Sequence, residues 1–351
     1  MDAAGDADAE ADAIDRTLEA VADARLAYTT DVEPGFRRRR RGRGFSYEAP
    51  AGGTVEPAVR DWIESLAIPP AWTDVWICTR RNGHLLATGR DARGRKQYRY
   101  HPRWRAVRDE DKFDQLLEFA GALPDLRKAV EVDLRRRTMD RDRVVAIVVR
   151  LLDETLVRVG NAEYAEDNGS YGLTTLRRDH AAITQRRVVF CFEGKGGHEN
   201  EIAVSDPGLA RAVRRCHELG GQELFAFERA DGEVVDLTST HVNDYLRSKT
   251  GLDISAKVFR TWGGTVVAAG HLARLGSGDG DRDVEARVLE AIDTAAEALG
   301  NTRAVCRASY VHPVVLEAYQ EGTMAEVWDR VRQGAQLTRA ERLVVELLEQ
   351  S

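Results

Sequence analysis

The spacing of apolar and polar positions changes near Asp111, from alternation to a helical period. After Ile68-Pro69-Pro70-Ala71-Trp72, residues Val75 to Thr79 alternate as a strand does, and Asn82-Gly83 is the strongest short hairpin-turn signal in the sequence. His84 to Thr88 read as the returning strand. The stretch from Gly89 to His101 turns a second time into a strand in which Tyr98 and Tyr100 share one face with Lys96. From Asp111 the period becomes helical. Phe113, Leu116, Leu117, Phe119 and Ala120 mark one helix, a second is expected to start at Pro124, and a third, strongly apolar, runs from about Arg141 to the neighbourhood of Arg158. Arg187 to Glu193 and Glu199 to Val204 then read as a hairpin with Lys195 at its glycine-rich tip. Helices are expected at 208–219, 240–248, 256–272 and 282–298, with Gly300 as a stop. A short helix leads to Tyr310, and residues 323–351 form a helical pair whose Leu337-Thr338-Arg339-Ala340-Glu341 resembles a staple and capping box.

This pattern gives an α+β protein: a small β-rich N-terminal domain over 36–108 and a mostly helical domain over 109–351. Residues 1–35 are assigned to an acidic, disordered tail. A chain of 351 residues, 43% of them hydrophobic, suffices for two cores. No apolar run approaches the ~20 residues of a membrane span, and a cytoplasmic, nucleoid-associated protein is expected. Cys78, Cys191, Cys216 and Cys306 are scattered without zinc or disulfide spacing, and are expected to be reduced and buried.

Charge changes the picture. The net charge of −7 argues against a nucleic-acid partner until its distribution is considered. Residues 1–25 carry eight acids and two arginines, a net of −6, which leaves −1 for the remainder. Residues 80–108 hold ten Lys or Arg against one acid, Asp91, and Arg37 to Arg41 with Arg43 add six more. Segregated basic stripes with aromatics interleaved suit duplex DNA. A further idea is that the acidic tail competes with DNA for that surface.

The candidate chemistry gathers on Tyr310. A phenol titrates near pH ~10 and attacks a phosphodiester only with strong cationic help. Arg158 and Arg260 are suited to grip the non-bridging oxygens of a five-coordinate phosphorus, and both stay charged. Lys195, on its loop, is suited to protonate the departing sugar oxygen. Asn301 adds a hydrogen-bond donor. The phosphotyrosyl link conserves the bond energy, so ATP is not required, and the sequence offers no clear carboxylate cluster for a metal; no cofactor is expected. The glycines around Lys195 do not make the Gly-x-x-x-x-Gly-Lys-Ser/Thr pattern of a nucleotide loop.

Arg-Val-Gly-Asn-x-x-Tyr followed by Tyr171-Gly172-Leu173-Thr174-Thr175-Leu176, then Gly-Lys-Gly, Lys-Val-Phe-Arg-Thr-Trp and Ser-Tyr-Val-His-Pro, resemble the compact bacterial and viral branch of the type IB DNA topoisomerases. The N-terminal Gly-Arg-Asp-Ala-Arg-Gly-Arg-Lys-Gln-Tyr-Arg-Tyr-His belongs to the same resemblance, which covers about Phe36 to Tyr319. It implies a smaller β-rich N-terminal domain and a mostly helical catalytic domain of the tyrosine recombinase and type IB topoisomerase type, clamped around double-stranded DNA; because one chain carries the full site, a monomer is expected to suffice. It also implies nicking through a 3′-phosphotyrosyl link, strand rotation that releases supercoils of either sign, and religation. By matching position it makes Tyr310 the nucleophile and Arg158, Lys195 and Arg260 its partners. Asn301 stands where the family often has histidine. Lys96, Tyr98 and Tyr100 match the family's N-terminal DNA-contact strand, with Arg90 and Arg93 in the turn before it, and Tyr164 matches a contact after the first arginine. Tyrosine recombinases share the chemistry, but usually carry His-x-x-Arg where this chain has Lys257-Val258-Phe259-Arg260, and their N-terminal domain is helical. A non-enzymatic DNA-binding protein would need the basic stripes without Tyr310 or Lys195.

Overall fold

The structure, a computed structural model, describes residues 17–18, 20–162, 165–166 and 169–351, and of residues 105, 106 and 108–111 only the backbone. The chain divides into two compact units, Met1–Lys112 and Phe113–Ser351.

The first unit is built on a five-stranded antiparallel sheet, ordered β2-β1-β3-β4-β5, of β1 Phe36–Arg41, β2 Gly44–Glu48, β3 Thr73–Ile77, β4 Leu85–Arg90 and β5 Lys96–Tyr100. The arginine run is itself the strand β1, paired with β2 from Arg37↔Glu48 to Arg41↔Gly44. Alternation puts Arg38 inward, where it donates to the carbonyls of Ile68 (3.1 Å), Pro69 (3.0 Å) and Trp72 (2.7 Å) and lies 4.2 Å from the Phe45 ring centroid. One arginine of the stripe is therefore a structural pin, not a free surface charge. Val75, Ile77, Leu86 and Ala87 pack with Ile63 and Leu66 under helix α1 (Pro57–Ser65), and Trp76, Cys78 and Leu85 face the other way.

That second face corrects the expected tail. Residues 1–16 lie outside the described residues, but from Ala20 onward the segment is packed. Ala20 and Val21 are buried against Trp104, and Thr29 is 1% exposed, exchanging hydrogen bonds with Leu85 and donating its N–H to His84 Nδ1 (3.1 Å). Asp31 pairs with Lys96 at 2.7 Å and Glu33 with Arg80 at 3.3 Å. Composition predicted solvation here; the apolar residues Ala20, Val21 and Leu26, few as they are, suffice because the sheet offers a second apolar face to cover.

Helix α2, Pro102–Leu134, replaces the two helices expected on either side of Pro124. It starts where Pro102 needs no donor and His101 Nδ1 accepts from Arg103 N (3.1 Å). Leu116, Phe119 and Leu123 before Pro124, and Leu126 and Val130 after it, form one buried stripe. Burying five such side chains outweighs a helical interruption worth about 3 kcal/mol.

The second unit packs α3 (Arg141–Thr155), α4 (Pro207–Leu219), α5 (Ser239–Thr250), α6 (Val258–Leu275), α7 (Asp281–Leu299), α8 (Arg303–Ser309), α9 (Pro313–Gln320), α10 (Thr323–Arg330) and α11 (Arg339–Glu349) with two small sheets. One sheet is ordered β6-β7-β8, from Ala181–Ile183, Val188–Gly194 and His198–Val204; the other pairs β9 (Ala226–Glu228) with β10 (Val234–Asp236). Phe190 and Phe192 of β7 face the core, so Cys191 between them points outward. It is exposed, against the expectation of four buried cysteines; the other three are buried. The capping box at Thr338 and Glu341 is formed, and the Glu341 carboxylate also pairs with Arg127 (2.7 Å) and accepts from Trp262 Nε1 (3.3 Å), tying α11 to α2 and α6. No described helix is long and apolar enough to cross a membrane.

Candidate active site

Helix α3 stops at Thr155, three residues before the expected point, because Leu156 adopts a left-handed conformation (φ 56°) that no side chain favours. Its packing explains the tolerance. The Leu156 side chain fills the space in front of Gly263, where a β-carbon would lie 2.3 Å from Leu156 Cδ2. The reversed Leu156 carbonyl then accepts from Arg260 Nη1 (2.5 Å), and Arg260 Nη2 donates to Leu299 O (2.8 Å) at the end of α7. Arg260 is 4% exposed, and its guanidinium lies 5.2 Å from the centroid of the Tyr310 ring.

Arg158 follows on the extended chain after Leu156. Its backbone is held by the Gly172–Thr175 turn: Leu173 N donates to Arg158 O (2.9 Å), and Thr174 N and Oγ1 both donate to Val159 O (2.6 and 3.0 Å). Gly160 (φ 108°) and Gly172 meet so closely that a β-carbon on Gly172 would be 2.6 Å from Gly160. This contact gives a physical reason for the pairing of Arg-Val-Gly-Asn with Gly-Leu-Thr-Thr in the sequence.

The Arg158 guanidinium donates to Asn301 Oδ1 at 2.8 Å. Asn301 sits just beyond Gly300, which ends α7 in the left-handed conformation anticipated for it (φ 57°). With Oδ1 engaged by Arg158, the amide turns Nδ2 inward, buried and without a hydrogen-bond partner; Arg260 Nε is in the same condition. Two buried donors are thus left unsatisfied on residues expected to hold phosphate. Thr302 caps α8, whose last turn delivers Tyr310 N to Cys306 O (2.9 Å).

Lys195 is exposed on the β7–β8 turn, where Gly196 (φ 91°) and Gly197 (φ 81°) need positive backbone angles and Gly197 N closes back on Gly194 O (3.1 Å). One open cleft of about 990 Å³ is lined by Arg158, Lys195, Arg260, Asn301 and Tyr310 together, with Tyr171, His198 and Asn200 on its walls. The five residues predicted from sequence thus line one cleft, though they come from four separate segments, Asn301 and Tyr310 flanking α8.

Electrostatics favour the phenolate. Burial by itself raises the Tyr310 pKa, but the charge and hydrogen bond of Arg260, with further help from Lys257 and Arg158, bring it below the ordinary tyrosine value. Burial and the neighbouring Arg158 lower the Arg260 guanidinium in turn. Lys257 and the glycine pair Gly263-Gly264 were not singled out from the sequence. The signal available was Gly-Gly inside an otherwise apolar helix, which is costly unless something must approach closely; at Gly264 a β-carbon would lie 2.7 Å from Tyr310 O. Among the described residues no three His, Cys, Asp or Glu side chains gather as a metal site.

The residues expected to touch DNA through the sheet lie in the first unit. Lys96 is exposed and paired with Asp31; its ammonium lies 5.6 Å from the Tyr98 ring, and Tyr98 stacks on Tyr100 at 6.0 Å. Tyr98 is exposed, whereas Tyr100 is partly buried against Trp104. Arg90 donates to Gly94 O (2.8 Å), and Arg93 is exposed. Tyr164 lies outside the described residues.

Comparison with known proteins identifies relatives of the chain. Residues 101–336 match the family model described as eukaryotic DNA topoisomerase I, catalytic core, and residues 44–91 match bacterial DNA topoisomerase IB, N-terminal domain. The DNA topoisomerase 1B of Acanthamoeba polyphaga mimivirus is 29% identical over 265 residues, covering 74% of this chain and 79% of that protein. The DNA topoisomerase 1B of Vaccinia virus (strain Copenhagen) is 20% identical over 271 residues, covering 76% of this chain and 83% of the viral one. The DNA topoisomerase 1 of Schizosaccharomyces pombe is 28% identical over 172 residues, 48% of this chain but 20% of the yeast protein. Because the catalytic-core match alone spans well over half of its residues, this chain belongs to the type IB DNA topoisomerase family.

Proposed function

We propose that the protein relaxes supercoiled double-stranded DNA of either sign by cutting one strand, letting it rotate and resealing it, without ATP, and that a single chain suffices. The Tyr310 oxygen attacks phosphorus and the 5′ oxygen of the next nucleotide departs, leaving a 3′-phosphotyrosyl link. Arg158, Arg260 and the Asn301 amide hold the non-bridging oxygens, where negative charge grows in the transition state. Tyr310 reacts as its phenolate; Lys195 gives a proton to the leaving oxygen and retrieves it on religation, when the 5′ hydroxyl attacks and the phenolate is released. Two guanidiniums stabilise the phosphorane, so these residues need no metal for the step.

One observation carries this reading: four separate segments converge on one cleft, in which the buried Arg260 guanidinium lies 5.2 Å from the Tyr310 ring. The exposed Lys96, Tyr98, Arg90 and Arg93 of the first unit are assigned to the DNA backbone, where they supply affinity and register. The test is relaxation of a supercoiled plasmid in EDTA without ATP, with detergent to trap covalent adducts. Wild type should relax the plasmid and form a 3′-linked adduct, and Tyr310→Phe should do neither. A Tyr310→Phe protein that relaxes DNA as well as wild type would remove Tyr310 from the mechanism.

A further inference from the structure

Thr265 lies on α6, five residues past Arg260, and is fully buried (0% exposed). Its hydroxyl has three partners. It accepts from His312 N at 3.1 Å, and its single proton is shared between Thr261 O at 2.8 Å and Tyr310 O at 3.3 Å. The bond to Thr261 is the ordinary return of a helical threonine to the carbonyl four residues back, and it satisfies the proton without outside help. The bonds to residues 310 and 312 are different, because they cross 45 and 47 positions of sequence and bind the chain at the tyrosine and just beyond it. They reach the short link between α8 and α9, where α8 holds only the N–H groups of Tyr310 and Val311, both donating to Cys306 O (2.9 and 3.2 Å), so that the carbonyl of Tyr310 and the N–H of His312 are left to Thr265. Gly264 completes the contact by allowing the Tyr310 backbone to lie against α6.

Resting on the assignment of Tyr310 as nucleophile, we propose that Thr265 is a positioning residue for strand cleavage. Its hydroxyl fastens the 310–312 segment to the helix that carries Arg260, so that phenol and guanidinium meet one phosphate in a fixed register. The hydroxyl does not reach the phosphate. It acts through the backbone, and its loss moves the nucleophile relative to Arg260 without removing either. A displacement approaching 1 Å at a reacting atom lowers a rate by up to roughly a hundredfold.

The experiment compares Thr265→Val, which keeps the shape and removes the hydroxyl, with Thr265→Ser, which keeps the hydroxyl and removes the methyl. Adduct formation on supercoiled plasmid is followed with enzyme in excess and trapped by detergent, and noncovalent affinity for the same plasmid is measured separately. Thr265→Val should form adduct roughly 10- to 100-fold more slowly with affinity changed by less than about threefold, and Thr265→Ser should return to within about threefold of wild type. Wild-type adduct rates in Thr265→Val, or an equal loss in Thr265→Ser, would overturn the proposal. So would a fall in affinity that accounts for the whole loss. If Thr265→Val does not fold, Thr265→Cys, with its weaker acceptor, takes its place under the same outcomes. A wild-type protein that forms no adduct would instead overturn the assignment of Tyr310, which the Tyr310→Phe control distinguishes.

Discussion

Replacing Arg260 by alanine separates three effects that the structure joins in one side chain. The guanidinium is the donor to two backbone carbonyls, Leu156 O at 2.5 Å and Leu299 O at 2.8 Å, and neither is replaced by water without loosening the packing of α6. At about 1 to 3 kcal/mol for each of the two buried acceptors left unpaired, the second unit should lose about 2 to 6 kcal/mol of stability. In the proposed mechanism the same guanidinium also holds the phosphate, and removing one such preorganised donor lowers a rate by roughly a hundred- to a thousandfold. It also contributes most among the cations that lower the Tyr310 pKa. The sign follows directly. In the proposed mechanism the reactive form is the phenolate, so cleavage should rise with pH through the Tyr310 pKa, which in wild type lies below the ordinary value of about 10. Without Arg260, burial still raises that pKa and less opposes it, so the rising limb must move to higher pH. The assay is adduct formation with enzyme in excess from roughly pH 6 to 10, alongside thermal unfolding. The loss should be largest at neutral pH and shrink toward alkaline pH. A loss of less than about tenfold at neutral pH, or a limb that stays at the wild-type position, would refute the role given to Arg260.

Two further outcomes follow from the same geometry. Lys195→Ala should slow cleavage of ordinary DNA by roughly a hundred- to ten-thousandfold, yet cleave a strand whose scissile bridging oxygen is replaced by sulfur nearly as fast as wild type, since a thiolate departs without a proton. Equal slowing on both substrates would show that Lys195 does something other than protonate the leaving group. In the first unit, Lys96→Ala should reduce the dependence of DNA affinity on log salt by about one unit, whereas Arg38→Ala should leave that slope unchanged and lower thermal stability, because Arg38 is spent on three backbone carbonyls. Salt titrations and melting curves of the two variants, read together, decide this; a slope change in Arg38→Ala would be inconsistent with its inward placement.

Much of the molecule is legible in short stretches of sequence. The period change, the Asn82-Gly83 hairpin, the Gly194–His198 turn, the stop at Gly300 and the box at Thr338 and Glu341 are all set by interactions within a few residues, and local sequence carries those. The identities of Arg158, Lys195, Arg260, Asn301 and Tyr310 come from ordered short motifs whose chemistry is constrained by the reaction they resemble. What misleads is burial that depends on distant surface. Pro124 sits inside α2 because the stripe from Leu116 to Val130 is covered on both sides of it. Residues 20–35 are ordered because the sheet has a second apolar face. Arg38 turns inward because three carbonyls await it, and Cys191 turns outward because Phe190 and Phe192 take the core.

By itself the sequence determined the α+β class, the charge segregation and the set of groups proposed to cleave a phosphodiester through a tyrosine. Only the tertiary structure decided that Leu156 would accept a left-handed conformation opposite Gly263, that its carbonyl and that of Leu299 would hold Arg260 beside the Tyr310 ring, and that the hydroxyl of Thr265 would fasten the segment after α8. Each of these joins residues about 40 to more than 100 positions apart. Such contacts depend on which apolar faces find one another, and no period or propensity in a short window records that choice.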